Sequence, residues 1–384
     1  MKSIAFICNE PTPYRLHLLR RFVDEQPSLH VHSIFTHTFD KAHVPWKMNL
    51  TQIPRTVFFE YEANAYKNSC VKARELVSKI TDYLQAHNIQ MVVLNGYGDV
   101  VRILIIRWAK KHGVHVLLRG DSNIHGQEKV TGIRRLFKRL VLRWVSRNIS
   151  GLMPMGRCGQ AFFDHWMGPH NLPSFLCPYE PDYQYIRACA GQQSADLIQT
   201  HQLDPDRKRL MFCGRLIGIK NVDLIIEAFK RIAVQRPQWD LVIVGTGELE
   251  DKLKKMVPAA LTSRVKFVGF LQFEQTAACY AVCHVLVHPP SYEPWALVIN
   301  EAVAAGLPII STDVVGAANE LIEPGVNGLL IKPNDVGQLT DAILKITEGD
   351  TAQRMGQQAA NVLKRWQEKA DPVMGIVNAA AMFA

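Results

Sequence analysis

The residues whose types and spacing suit chemistry gather between Phe212 and Glu301. Gly214 and Arg215 follow a short apolar run, and Lys220 comes five residues later, just before a helical stretch. Two cations beside the free N–H groups of a helix start suit a diphosphate. A second cluster reads Ser291-Tyr-Glu-Pro-Trp-Ala-Leu-Val-Ile-Asn-Glu301, with Glu293 ahead of a helix and Glu301 inside it. A carboxylate in so apolar a helix is costly unless paired. The vicinal diol of a ribose is a good partner, since a carboxylate accepts two hydrogen bonds from it. Glu293 can serve hexose hydroxyls in the same way. N–H groups around Trp295, Ala296 and Leu297 can cradle phosphate oxygens. The plainer accounts are solvated cations for Arg215 and Lys220, and a helix cap with a buried ion pair for the carboxylates.

Other candidates are weaker. Gly245-Thr-Gly247 follows an apolar run but lacks the third glycine of a dinucleotide loop, and a tight strand–helix turn accounts for it. Asp204-Pro-Asp206 has metal-motif spacing but reads as a turn. The eight cysteines include Cys279 and Cys283, spaced to approach each other on a helix, yet no Cys or His pair completes a zinc pattern. Reduced thiols and no bound metal are expected.

The elements that must position these residues alternate strand and helix, which argues for parallel sheets with right-handed crossovers. The chain has 384 residues and is 48% hydrophobic, too long for one core and rich enough for two. In the first half, strands are expected at Ser3–Cys8, Leu29–Thr36, Met91–Leu94, Val114–Leu118 and Ile149–Pro154, with helices between; Val57–Ser69 has no clear period. The second half repeats the layout from Arg209 to Ile346. The segment Pro178–Asp206, with its polar run Gly191–Ser194, reads as the crossing between two domains.

Lys and Arg outnumber Asp and Glu, 44 to 35, a net charge of +9 that favours contact with phosphates or an anionic surface. Residues 129–147 interleave Lys129, Arg134, Arg135, Lys138, Arg139, Arg143 and Arg147 with large apolar residues. That is a basic amphipathic helix of the kind that lies on anionic membranes, or one packed on the sheet with its Arg side solvated. No zinc finger, helix-turn-helix or ribonucleoprotein motif accompanies the charge, so nucleic acid is not the expected partner. No secretory signal or membrane span is expected, because the apolar runs are short or broken by charge.

The segment from about Phe212 to Pro333 resembles the retaining glycosyltransferases of family 4, which have the GT-B fold and an EX7E motif. The resemblance is carried by Gly214-Arg215, Lys220-Asn221, Gly245-Thr-Gly247, Val268-Gly-Phe270, Glu293-Pro294, Asn300-Glu-Ala302, Gly306-Leu-Pro308 and Gly325-Val-Asn-Gly328. The N-terminal half matches in layout and a few loops. The resemblance implies an α/β chain of two Rossmann-like doubly wound domains facing a cleft. Residues 1–180 would be the acceptor side, 181–206 a linker and 207–365 the nucleotide-sugar domain, with a C-terminal helix at 366–384 returning to the first domain. It implies a metal-independent hexosyltransferase that keeps the donor's anomeric configuration. The donor would be a nucleotide sugar, UDP-linked by the family's base rates, carrying a hexose or N-acetylhexosamine. The acceptor would be a glycan or lipid-linked molecule, with the enzyme in the cytoplasm, at the inner face of the membrane.

Carried over residue by residue, Arg215 and Lys220 would bind the diphosphate and stabilise the leaving group. Glu293 would contact the donor sugar and Glu301 the ribose, while Gly269 and Phe270 flank the base. Gly214, Gly245, Gly247, Pro294, Trp295, Ala296 and Leu297 would complete the donor loops. Two departures stand in the first half. Asn9-Glu-Pro-Thr-Pro13 replaces a glycine-rich loop, and Arg119-Gly-Asp-Ser-Asn123 stands where many relatives have a histidine. Asp121 or Glu10 is then the candidate for acceptor or sugar hydroxyls. The competing readings are transfer to a small soluble acceptor and a non-catalytic nucleotide-sugar-binding protein. A glycan phosphorylase shares the layout, but the chain is short for one and no lysine stands out for a pyridoxal Schiff base.

Overall fold

Short apolar runs become strands here because both of their faces are covered. The computed structural model describes residues 3–36, 53, 55–59, 69–127, 131–189 and 194–384. Its residues divide into two units, Met1–Glu180 with Ala370–Ala384, and Pro181–Lys369. Lys129 and residues 191–193 lie outside the described residues, as do 60–68 of the stretch without clear period.

The first unit runs β1 (Ser3–Cys8), α1 (Pro13–Glu25), β2 (His30–Phe35), β3 (Thr56–Phe58), α2 (Cys70–Ala86), β4 (Met91–Asn95), α3 (Val100–Lys111), β5 (His115–Gly120), α4 (Gly132–Ser146), β6 (Gly151–Pro154) and α5 (Arg157–Met167). Its sheet has the order β3-β2-β1-β4-β5-β6, with every pair parallel. Two apolar clusters cover the faces, one around Leu76, Ile105 and Phe162, the other around Phe22, Leu117 and Met153. Helix starts carry their own signals. Ser69 and Asp99 accept from first-turn N–H groups, and Pro13 opens α1 with its φ already set.

The second unit begins with α6 (Tyr183–Cys189) and α7 (Ser194–Thr200). It continues through β7 (Lys208–Cys213), α8 (Val222–Ile232), β8 (Trp239–Val244), α9 (Glu250–Met256), β9 (Val265–Gly269), α10 (Phe273–Val282), β10 (Val285–His288), α11 (Leu297–Ala304), β11 (Ile309–Thr312), α12 (Gly316–Leu321), β12 (Gly328–Ile331), α13 (Val336–Ile346) and α14 (Thr351–Lys369). Its sheet order is β12-β11-β10-β7-β8-β9, again all parallel. Strand order reverses between β7 and β10, so the carboxyl ends of those two strands flank the crevice where such sheets bind ligands.

Two segments fall differently from the sequence expectation. The stretch 181–206 packs with the second unit: α6 and α7 lie against α10, and Asn300 donates to the Tyr183 hydroxyl at 2.8 Å. The C-terminal return begins at Ala370, because residues 366–369 finish α14, where Trp366 lies 6.0 Å from Trp295. The returning helix is α15 (Pro372–Met382), whose Val373, Ile376 and Ala379 join the core of the first unit. Gly375 is needed there, since a Cβ would stand 2.1 Å from the Leu176 carbonyl oxygen. Arg21 ties the same region electrostatically, pairing with Glu25, the buried Glu180 and Asp371, the cap of α15.

Candidate functional site

The loop after β7 and the loop after β10 are fastened to each other by backbone and amide contacts. Ser291 N–H donates to the Ile219 carbonyl at 2.9 Å. Asn221, in the left-handed region at φ 55°, donates to the Pro289 carbonyl and to Asn334 Oδ1, each at 3.0 Å. Ser311 and Thr312, at the end of β11, donate to the carbonyls of His288 and Pro290. Charged residues carried by these loops are therefore held in register at the switch point.

Lys220 and Glu293 meet there as a half-buried ion pair, Nζ to Oε2. Arg215 is exposed on the same β7 loop. His288, the last residue of β10, is buried and stacks on Phe212 with ring centroids 5.8 Å apart. Its Nε2 lies 4.0 Å from Glu293 Oε2, and neither ring nitrogen has a hydrogen-bond partner among the described residues. Burial, reinforced by Lys220, holds the imidazole well below its ordinary range, so it is neutral at pH 7.

Glu301 lies on α11 and accepts from the Tyr280 hydroxyl at 2.8 Å. Burial pushes its carboxyl up to about 7, against the pull of that hydrogen bond. Burial and the nearby Glu301 carboxyl push the Cys213 thiol up to about 12, which removes it as a nucleophile at neutral pH. The sequence-chosen Arg215, Lys220, Glu293 and Glu301 all sit in the second unit, on the loops after β7 and β10 and on the helix that follows. His288, Tyr280, Cys213 and Asn221 were not among the candidates; His288 alone left a signal, a histidine closing an apolar strand before Pro289-Pro290.

The loop Glu293–Ala296 is clamped from the far side. Ala317 N–H donates to the Trp295 carbonyl at 2.8 Å and Gly316 N–H to the Glu293 carbonyl at 3.4 Å. A Cβ on Gly316 would stand 2.2 Å from the Pro294 carbonyl oxygen. Ala296 is forced to φ 77°, ψ 83° at the start of α11, a conformation costing about 1–3 kcal/mol. Backbone strain of this kind persists only where surrounding contacts over-determine it. The next residue, Leu297, opens α11, whose start has no side-chain cap.

Gly245 and Gly247 take a packing role. A Cβ on Gly245 would lie 2.0 Å from the Gly214 carbonyl oxygen, and one on Gly247 2.5 Å from that of Leu216. Backbone bonds join the same loops: Leu216 N–H to Thr246 O at 2.9 Å, and Gly245 N–H to Gly269 O at 2.7 Å. The loops after β7, β8 and β9 thus form one stacked layer, with Gly269 at φ 74° turning the chain and Phe270 partly exposed behind it.

In the first unit, Asp121 is exposed just past β5. Its neighbour Arg119 is buried and committed to structure, donating to the carbonyls of Cys177 and Pro178 at 3.0 and 2.9 Å. Glu10 offers its carbonyl to Arg15 at 2.5 Å. Asp204 and Asp206 form a turn, with Asp206 N–H donating to Asp204 Oδ1 at 3.0 Å. Among the described residues no group of three His, Cys, Asp or Glu is placed to hold a metal ion, and Cys279 and Cys283 are free thiols.

Two Rossmann-type sheets of this order in one chain define the GT-B fold. The protein HepE from Anabaena, solved with UDP and glucose, matches over 100% of this chain and 99% of its own with a TM-score of 0.74 at 18% identity, a likeness of fold. Residues 193–362 match the family model described as glycosyl transferases group 1. The alpha-D-kanosaminyltransferase of Streptomyces kanamyceticus is 29% identical over 179 residues, 46% of this chain and 46% of that protein. The lipopolysaccharide core biosynthesis mannosyltransferase LpsB of Rhizobium meliloti is 32% identical over 171 residues, 42% of this chain and 47% of that protein. The chain thus spans less than half the length of these curated relatives.

Proposed function

We propose that this chain is a glycosyltransferase, moving a hexose or N-acetylhexosamine from a nucleotide sugar to a glycan or lipid-linked acceptor. The observation that carries the reading is the Lys220–Glu293 pair beside Arg215 at the switch point, with Glu301 on the helix that follows. An incoming diphosphate would be met by Arg215 and draw Lys220 away from Glu293. Glu293 would then be released to hydrogen-bond the donor sugar, and Glu301 would accept from the ribose diol. Charge building on the leaving diphosphate would be offset by the two cations and by the N–H groups at the start of α11, the largest usual source of rate in such transfers. Neutral His288 beside Glu293 would keep the carboxylate aimed. Asp121 and Glu10, in the first unit, are assigned to acceptor or sugar hydroxyls.

The kanosaminyl- and mannosyltransferase relatives support sugar transfer, and the HepE complex supports a UDP-linked donor. LpsB, named for lipopolysaccharide core biosynthesis, supports a glycan or lipid-linked acceptor, and a working position against the inner face of a membrane is part of the same proposal. No helix of the described residues is long and apolar enough to cross a membrane, and the contact proposed is peripheral. The test is release of nucleoside diphosphate from donor and acceptor. Lys220→Ala or Glu301→Ala should each lower kcat/KM about 100-fold; wild-type rates in both would overturn the assignments, and unchanged donor in the presence of acceptor would favour a sensor. Retention is proposed as the stereochemical course, with the leaving phosphate taking the acceptor's proton. The anomeric coupling of the product by NMR reads it directly, and a β product from an α donor would refute it.

A further inference from the structure

Helix α4 turns its apolar stripe away from the protein. Ile133, Leu136, Phe137 and Leu140 are 83%, 59%, 68% and 58% exposed. Their spacing of i, i+3, i+4 and i+7 puts them on one face. The opposite face makes the contact with the core, through buried Leu142 and Val145 and through Lys138, whose ammonium lies 4.8 Å over the Phe162 ring and 4.7 Å over that of Trp166. Sheet packing therefore does not consume the stripe, as it would in a merely structural amphipathic helix. At about 100° per residue, Arg134 borders the stripe on one side and Arg139 and Arg143 on the other, with Arg147 at its C-terminal end.

A pocket of about 320 Å³ opens beside that C-terminal end, lined by Arg143, Ser146, Arg147, His170, Asn171 and Leu172. Arg143 and Arg147 are one turn apart and both exposed. Ser146 Oγ donates to the Arg143 carbonyl at 2.9 Å, and His170 Nε2 lies 3.4 Å from Asp164 Oδ1. Two guanidinium forks one turn apart, with hydroxyl and amide groups beside them, suit a phosphate.

We propose that α4 is a docking site for an anionic phospholipid bilayer, its stripe entering the interfacial layer and the Arg143–Arg147 pocket holding a lipid phosphate. The proposal deepens the reading of a membrane-side glycosyltransferase and rests on it. A lipid is chosen over a soluble phosphate or nucleic acid because the stripe and the pocket share one helix. A soluble ligand in the pocket would leave four large apolar side chains in water, while a bilayer takes both. Lipid phosphates lie at the depth where an amphipathic helix floats.

Flotation of the full chain with phosphatidylcholine vesicles, with and without phosphatidylglycerol, tests this. The wild type should float with the anionic vesicles and not with the neutral ones. Arg143→Gln with Arg147→Gln should weaken partitioning by more than the roughly 25-fold that two cations acting only through the surface potential would give, about fivefold each. Arg134→Gln with Arg135→Gln, the same charge change outside the pocket, should weaken it distinctly less. Leu136→Gln with Phe137→Gln should abolish flotation. All six positions are exposed, and a thermal shift with nucleoside diphosphate retained in every variant confirms an intact fold. Failure of the wild type to float, indifference to the stripe variant, or equal loss from both arginine pairs would overturn the proposal. Normal flotation without any nucleotide response would instead count against the glycosyltransferase reading.

Discussion

Glu301 is the residue whose chemistry is most open to measurement. Its carboxyl titrates near 7 in the folded chain against an ordinary value of 4.5. The folded state therefore binds that proton more tightly than the unfolded state, and the group's contribution to stability falls as pH rises from about 4.5 through about 7. A ribose diol donating two hydrogen bonds favours the ionised form, so nucleotide binding should expel a proton below about pH 7 and tighten as pH rises. Titration calorimetry in two buffers of different ionisation enthalpy reads the proton count. In Glu301→Gln the release should fall to the share that the terminal phosphate, itself titrating at about 6, loses on meeting the cations; proton uptake on binding in the wild type would contradict the assignment. Glu301 was legible in the sequence because a carboxylate in an apolar helix is out of place, and so were Arg215, Lys220 and Glu293 by charge and spacing. The roles of His288, Tyr280 and Asn221 were not, since each acts through a partner from another element: Phe212 and Glu293, Glu301, and Pro289 with Asn334.

Loops, rather than helices or strands, decide the precision of this site. Gly245-Thr-Gly247 was readable as a turn, but the reason for its glycines lies some 30 residues earlier, in the backbone of Gly214–Leu216. Sequence patterning reports an element's own faces and not the loop stacked on it. The consequence is a matched pair of substitutions. Gly245→Ala places a Cβ 2.0 Å from a carbonyl oxygen at φ 123°, so the Arg215 loop must shift, with a loss of about 3 kcal/mol or more and most of the turnover. Gly218→Ala, three residues past Arg215 with nothing within 4 Å, should change stability by no more than about 0.5 kcal/mol. Chemical denaturation of both variants checks the contrast, and similar midpoints would show that the stacked loops yield more easily than their distances indicate. The same limit explains the boundaries that differed. Helices α6 and α7 are short and belong to the second unit through α10, and residues 366–369 continue α14 because Trp366 packs on Trp295, neither of which a local pattern contains.

Length and alternating pattern announced two doubly wound units, and the structure builds each around its own sheet with the same strand order. The residues assigned to the nucleotide all lie in the second. Ligand binding to a native unit raises its stability by mass action, about 2.7 kcal/mol at a hundredfold excess over Kd. For a unit of this size that corresponds to roughly 5–10 °C in Tm. UDP at that excess should therefore raise the unfolding transition of the second unit, in which Trp239, Trp295 and Trp366 are the buried reporters. Peptide-resolved hydrogen exchange adds the location that a melting curve lacks. Protection should concentrate in peptides covering 212–221, 245–249 and 288–301, where the stacked loops, the ion pair and the strained turn at Ala296 come together. Peptides of β1, β4 and β5 should change little with UDP alone, because Asp121 and Glu10 are assigned to acceptor or sugar hydroxyls that UDP lacks. Protection confined to the first unit would move the nucleotide site there and remove Lys220 and Glu293 from the mechanism. A response to GDP or ADP in place of UDP would leave the site where it is and change only the base, since Arg215 and Lys220 read the diphosphate that all three share.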